Sequence, residues 1–270
     1  MATPAAVRVL EQRLVVYRRT WRGSVISSFL NPVLFLAAMG VGLGTYVDGG
    51  TSGVSAASAA GATGSLPDGI GYIAFLAPGL LASTAMQTAA GESTFPIMGG
   101  IVWVRSFHGM LATPIRPADV VLGVLGWIGL RLALVSAVFF AVMVLFGAVA
   151  TPGALLAVPA AVLTGLAFAA PIAAFSATQR DTNGFNALFR FGIIPLFLFS
   201  GTFFPIAQLP TLLQPVAVVT PLWHGVDLCR SLALGTADPL VAALHVGYLA
   251  AMAGAGLLLA EKTFRRRLVK

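Results

Sequence analysis

The sequence predicts an all-α integral membrane protein with six transmembrane helices. Three observations carry that prediction. The 270 residues are 58% hydrophobic and only 9% charged, against about 25% charged in soluble domains, and the mean hydropathy is +0.92. Uncharged stretches of the length needed to cross a bilayer, about 20 residues, recur along the whole chain. Fourteen of the sixteen basic residues fall in segments that a six-span arrangement places on one side, as cytoplasmic loops require.

The elements follow in order. Residues about 5–22 read as an amphipathic interfacial helix, with Val7, Leu10, Leu14, Tyr17 and Trp21 on one face and Arg8, Glu11, Arg18, Arg19 and Arg22 on another. Such a helix lies in the membrane surface with its arginines, notably Arg18, Arg19 and Arg22 beside Trp21, at the lipid phosphates. Five arginines and no apolar core with a small-residue cleavage site argue against a cleavable leader. The first span is expected at about 23–47 and the second at about 69–91, joined through a small-residue, low-complexity loop at Gly49–Gly64. Leu132 to Gln179 contains no charge and is twice the length of one span; Thr151-Pro152-Gly153 is its natural turn. The third and fourth spans are therefore placed at about 118–149 and 153–177, the fifth at about 187–204 and the sixth at about 239–260.

Orientation follows from the arginines and lysines. Arg8 to Arg22, Arg105 and Arg116, Arg180 and Arg190, and Lys262 to Lys270 share one side, whereas Asp48, Asp68, Asp227 and Asp238 face Arg230 alone on the other. Both termini are expected in the cytoplasm of a multi-pass protein of the plasma membrane. Arginine greatly outnumbers lysine among abundant Ala and Gly, a composition that points to a GC-rich bacterial genome. The net charge of +7 is a topology signal here and not a nucleic-acid footprint, because the basic residues flank apolar runs.

Phe199 to Gly235 is too apolar for a surface loop, and Pro205, Pro210, Pro215 and Pro221 break it every five or six residues. Proline removes a backbone donor and clashes with the preceding turn, and lipid tolerates unpaired backbone only where protein or water covers it. The fifth span is thus expected to end near Phe204, with short helical pieces after it dipping into one membrane face. Phe203, Phe204, Pro205, Pro210, Pro221 and His224 are its candidate functional positions. Segments of this kind suit transporters and channels.

Several chemistries find no residues. No G-x-x-x-x-G-K-[ST] loop and no G-x-S-x-G elbow occurs. His108, His224 and His245 lie far apart in sequence and form no metal set with the single cysteine, Cys229. His224 and Asp227, at helical spacing, read as a local hydrogen bond. Arg131 is the one formal charge well inside an expected span. It faces the bundle interior or a dimer seam, or it snorkels, or the helix starts later than placed, since an uncompensated charge there costs several kcal/mol. Glu92, at the cytoplasmic end of the second span, pairs with a loop arginine or is solvated.

The loop from Glu92 to Pro117 mixes apolar, aromatic and basic residues. Trp103, Arg105, Phe107, His108 and Met110 suggest a short exposed helix that docks a soluble partner, or one that packs on the chain's own interfacial helix. Met110 to Gly123 (MLATPIRPADVVLG) resembles the loop-to-third-helix signature of type-2 ABC transporter (ABC-2) permeases. The likeness is closest to the nodulation-factor, lipooligosaccharide and drug exporter branch. Asn31–Val47, Tyr72–Met86 and the pieces FSGTFFP, QLP and TPLWHGVDLCR appear in that family's order. The resemblance covers most of the chain, and its order and spacing are more specific than any one piece. Met98-Gly99-Gly100 departs from it, where a more charged approach to the docking helix is expected.

The resemblance implies a six-helix exporter fold with two short external re-entrant helices between spans five and six. It also implies a homodimer of permeases working with two separate P-loop ATPase subunits, which would bind Mg-ATP; this chain itself would hold no cofactor and be no enzyme. Residues around Ile101–Leu111 would supply the coupling helix, and the cargo would be an amphiphile such as a glycolipid, a lipooligosaccharide or a hydrophobic drug. The competing class, an ATP-independent secondary transporter or channel, usually places carboxylates along its path, and no acidic residue is expected clearly mid-span. An intramembrane enzyme would need a nucleophile or metal set that the sequence does not offer.

Overall fold

A computed structural model describes residues 5–38 and 72–269, with the backbone alone described at positions 16, 19–29, 31 and 32. The described residues are helical throughout, without strands. Helix α1 is Ala5–Leu36 and α2 is Tyr72–Ser93; a short α3 (Phe95–Met98) and a π-turn (Gly99–Trp103) continue α2. Next come α4 (Ser106–Leu111), α5 (Pro117–Leu145), a 3-10 turn (Pro152–Leu156) and α6 (Ala157–Thr178). Then α7 (Asn183–Leu188), a π-turn (Phe189–Ile193) and α8 (Ile194–Phe199) form one column. After a 3-10 turn (Ile206–Gln208) the chain ends with α9 (Gln214–Val219), α10 (Pro221–Leu234) and α11 (Pro239–Leu268).

Four stretches are long and apolar enough to cross a membrane: Ile73–Trp103, Pro117–Leu145, Pro152–Thr178 and Pro239–Leu268; Asn183–Phe199 is a shorter apolar helix. The far end of the expected first span and the Gly49–Gly64 loop lie outside the described residues.

Helix α6 is the hub, packing on α11, α2, α5 and α10. Its buried face is almost entirely small: Ala157, Ala160, Ala161, Gly165, Ala169, Ala173 and Ala177 among others. Apolar bulk gains little between helices already solvated by lipid, so small residues hold them by allowing close approach. Three glycines mark the crossings. A Cβ on Gly165 would lie 2.6 Å from Leu132 of α5, one on Gly225 2.4 Å from Thr164, and one on Gly256 2.5 Å from Pro171.

The structure moves several expected boundaries. No break separates an interfacial helix from the first span; α1 runs unbroken, as only Gly23 lies between Pro4 and Pro32 to weaken it. Its packed face also differs from the expected apolar one. Val7 and Leu14 are exposed, while Val9 is buried and sits where a Cβ on Gly123 of α5 would be 2.5 Å away. The glycine in α5 selects the contact, and with it turns Arg13 and Tyr17 inward. Arg18 is exposed, whereas the side chains of Arg19, Trp21 and Arg22 lie outside the described residues.

The second span does not stop at Gly91. Thr94 Oγ1 donates to the Ala90 and Gly91 carbonyls at 2.9 and 3.2 Å, and Ser176 of α6 donates to the Ser93 carbonyl at 2.6 Å. These hydroxyls satisfy backbone at the break that Pro96 forces, so the column resumes and continues to Trp103. The third span ends at Leu145, earlier than residue 149, because Gly147 turns left-handed at φ 68°. The shorter apolar helix at the position expected for the fifth span ends at Phe199, short of Phe204, where Ser200 donates back to Leu196 and Gly201 adopts φ 77°. The sixth extends beyond Ala260 to Leu268, so the basic tail is helical.

Candidate functional site

Two polar assemblies stand out, one around the loop between α2 and α5 and one in the segment after α8. In the first, the π-turn closes with Val104 N–H bonding the Gly99 carbonyl at 2.8 Å. The chain then reverses at Arg105, whose φ of 55° is the only positive value on a non-glycine among the described residues. An arginine held there costs about 1–2 kcal/mol, so the corner is set by its surroundings. Beyond it, α4 begins.

The corner sorts the candidate docking residues. Trp103 is 59% and Val104 76% exposed, and Arg105 and His108 are also exposed. Met110 is half-buried. Phe107 is a correction: it is fully buried and not on the surface. Its ring centroid is 6.1 Å from that of Phe264 in α11, and the Arg13 guanidinium of α1 lies 5.6 Å from it. A Cβ on Gly100 would sit 2.7 Å from the same ring, and one on Gly99 would touch Trp103 at 3.5 Å. The Met98-Gly99-Gly100 departure thus has a local reason at Gly100, where bare backbone makes room for the anchor.

Behind the anchor lies a charge pair. Arg131 Nη2 is 3.2 Å from Glu92 Oε1, with the two side chains 14% and 23% exposed. Arg131 is midway along α5, about 21 Å from either end at ~1.5 Å per residue. Its guanidinium lies 5.0 Å from the Tyr17 ring, which meets Trp127 edge-on at 5.3 Å. Arg131 therefore points into the bundle, and Glu92 pairs with this span residue instead of with a loop arginine. Glu92 also lies within the apolar stretch Ile73–Trp103, so the expectation that no carboxylate is mid-span is corrected. The sequence signal that could have found this is the pair itself: one isolated acid and one isolated base in neighbouring apolar runs.

In the second assembly each proline begins an element. Pro205 precedes the 3-10 turn. The Pro210 carbonyl accepts from Leu213 and Gln214 N–H at 2.8 and 3.3 Å. Pro221 opens α10 behind the Thr220 cap, whose Oγ1 accepts from Trp223 N–H at 3.3 Å. Phe203 packs between Phe197 and Phe35, at 5.0 and 6.1 Å, while Phe204 is half-buried. The turn is pinned to α2: Ser83 and Thr202 hydroxyls are 2.8 Å apart. Arg230 donates from Nε to the Phe75 carbonyl at 3.1 Å and from Nη2 to the Gly201 carbonyl at 2.8 Å, with its guanidinium 3.8 Å over the Phe75 ring. Gly79 allows this approach; a Cβ there would be 3.0 Å from the Thr202 carbonyl.

The histidines are partly reunited. His224 Nδ1 and His245 Nδ1 lie 2.7 Å apart, and Asp227 bonds His245 at 3.0 Å. The local His224–Asp227 bond expected from spacing is thus replaced by a bridge through α11. His108 is remote, on α4. Cys229 is buried with its thiol 3.7 Å from the Ala157 carbonyl. Among the described residues no three His, Cys, Asp or Glu side chains are arranged to hold a metal ion.

The geometry describes a membrane bundle with an exposed corner at one loop and a proline-punctuated, clamped segment elsewhere. The chain is 30% identical over 265 residues to Nodulation protein J of Rhizobium leguminosarum bv. viciae, covering 95% of each. It is 31% identical to Nodulation protein J of R. leguminosarum bv. trifolii, covering 98% of this chain and 94% of that one. For the protein of that name from Rhizobium meliloti (strain 1021) the identity is 29%, with 97% and 94% covered. The family model described as "ABC-2 type transporter" matches residues 6–234. The chain is a member of the ABC-2 transporter family, a multi-pass membrane transport component built from α-helices.

Proposed function

We propose that this chain is the transmembrane permease of an ATP-driven exporter in the bacterial plasma membrane, working as a homodimer with two separate ATPase subunits. The observation that carries the reading is the docking corner. Trp103, Val104, Arg105 and His108 are presented to the outside, and Phe107 locks α4 to α1 and α11. A push on the exposed surface would move three helices together. ATP would favour the arrangement in which its partner subunits close, and only that difference in binding can drive the change. Membership of the family supports an ATPase partner. Both termini would be cytoplasmic, and α9 and α10 would be the external re-entrant helices. Mg-ATP would bind the partner and not this chain.

The cargo would be an amphiphile, a lipooligosaccharide or related glycolipid or a hydrophobic drug, leaving beside the α9 segment. Leu212, Val216 and Val219 are exposed there, as a surface meeting acyl chains would be. The name of the relatives, Nodulation protein J, supports the nodulation branch of the family ahead of the drug branch. The ion-coupled alternative gains Glu92 as a mid-span carboxylate but loses it again, because Arg131 neutralises it.

The test is copurification of the tagged chain with the product of a neighbouring P-loop ATPase gene, followed by ATPase assay in lipid. Recovery of that subunit, with turnover lowered by Trp103→Ala, supports the reading. A chain that purifies alone and moves cargo on an ion gradient overturns it.

A further inference from the structure

The pair of histidines joins two elements that the chain separates. His224 and Asp227 stand on α10 and His245 on α11. The same junction holds Tyr248 of α11. Its ring stacks on His224 at 4.0 Å, and its phenol donates to the carbonyl of Val219, the last residue of α9. Trp223 meets both imidazoles edge-on, at 4.9 and 5.4 Å.

Hydrogen-bond chemistry fixes the protons. An ionised carboxylate only accepts, so Nε2 of His245 carries the proton donated to Asp227. In neutral His245 the Nδ1 is then a bare acceptor, and the proton in the 2.7 Å contact comes from Nδ1 of His224. The first added proton goes to Nε2 of His224 and leaves this chain of bonds intact. The second has one place left, Nδ1 of His245, where it meets the N–H of His224. Two N–H groups cannot share that separation, and two imidazolium rings repel.

We propose that Asp227, His245 and His224 are a proton-counting clasp: it holds α10 to α11 with zero or one added proton and releases them on the second. The other charged groups around it are already engaged. Arg230, on α10, is bound to the Phe75 and Gly201 carbonyls while its charge also acts on Asp227, and Asp238 caps the α11 amides of Leu240 and Val241. Helix α6, which faces α10 through Thr164, has no titratable side chain, nor has α9. In α2 the one carboxylate, Glu92, is paired with Arg131. The clasp rests on geometry alone; its consequence, acid-dependent opening of the exporter's outer segment, rests on the function proposed above.

The experiment is a pH titration of the full chain in lipid nanodiscs with 15N-labelled histidine, from about pH 8 to about pH 4.5, the range in which imidazoles charge. His108, exposed and remote, is the internal reference. The expected result is two-step uptake by the pair, with the through-bond coupling between the Nδ1 atoms surviving the first step and vanishing at the second. Asp227→Asn keeps an accepting oxygen but removes the charge facing Nε2 of His245, so the pH at which the coupling vanishes should change. His224→Phe should abolish the coupling and the second step. Independent titration of all three histidines, coupling that persists to the acid limit, or no shift in Asp227→Asn overturns the proposal. With the ATPase subunits present, export whose pH profile moves with Asp227→Asn supports the consequence. Absence of export at every pH sinks the exporter reading, while the nanodisc titration still decides the clasp.

Discussion

Breaking the Glu92–Arg131 pair should reveal an asymmetry between its partners. Two unit charges about 4 Å apart attract by about 4 kcal/mol at an effective dielectric near 20, and partial exposure of both side chains, 14% and 23%, lowers this to about 2 kcal/mol. Glu92→Gln leaves a guanidinium midway along a span that cannot shed its charge. Such a charge costs about 2.5–3.5 kcal/mol at a helix centre, so the expected loss is about 3 kcal/mol. Arg131→Gln leaves Glu92 with the charge of Arg13 still acting on it, so the expected loss is about 1–2 kcal/mol. The double variant should lose about 2 kcal/mol, short of the sum, because neither member of the pair remains to be stranded and only the attraction between Arg13 and Glu92 is lost besides. The assay is SDS-driven unfolding of the four proteins in mixed micelles at neutral pH. Additivity within about 0.5 kcal/mol, or an Arg131→Gln loss exceeding that of Glu92→Gln, would refute the reasoning.

Three further outcomes follow from the packing. Phe107→Ala should cost about 3–5 kcal/mol of stability as a core truncation, whereas Trp103→Ala should change it by no more than about 0.5 kcal/mol while lowering ATPase stimulation; paired melting curves and ATPase assays check both. Gly225→Ala places a methyl 2.4 Å from Thr164 and should cost about 1–3 kcal/mol by overpacking, with partial recovery in Gly225→Ala/Thr164→Ala, read by thermal stability. Arg230→Lys cannot reproduce the forked contact to Phe75 and Gly201 carbonyls, so hydrogen exchange at residues 200–204 should rise well above that at α6.

How much was legible varies by element. The Thr151-Pro152-Gly153 turn and the punctuation by Pro205, Pro210 and Pro221 were readable because proline acts on its own backbone. The end of the second apolar stretch, at Trp103 and not Gly91, is not legible because Thr94 and Ser176 repair the break that Pro96 makes, and Ser176 lies 83 positions from Ser93. Phe107 was misread as surface because its neighbours, Gly100, Arg13 and Phe264, come from three other elements. Spacing along one helix pairs His224 with Asp227, three residues on, whereas its partner on α11 is not visible in the sequence.

The sequence by itself determined that this chain crosses a membrane, and its family resemblance was carried by local strings in order. Those properties depend on composition and on residues near each other in the chain. Tertiary structure alone decided which charges meet, which aromatic residue anchors and which is presented, and where the histidines converge. Between lipid-solvated helices the contacts are selected by close approach at glycines such as Gly123, Gly225 and Gly256. A glycine shows in a sequence, but the side chain that fills the space above it does not.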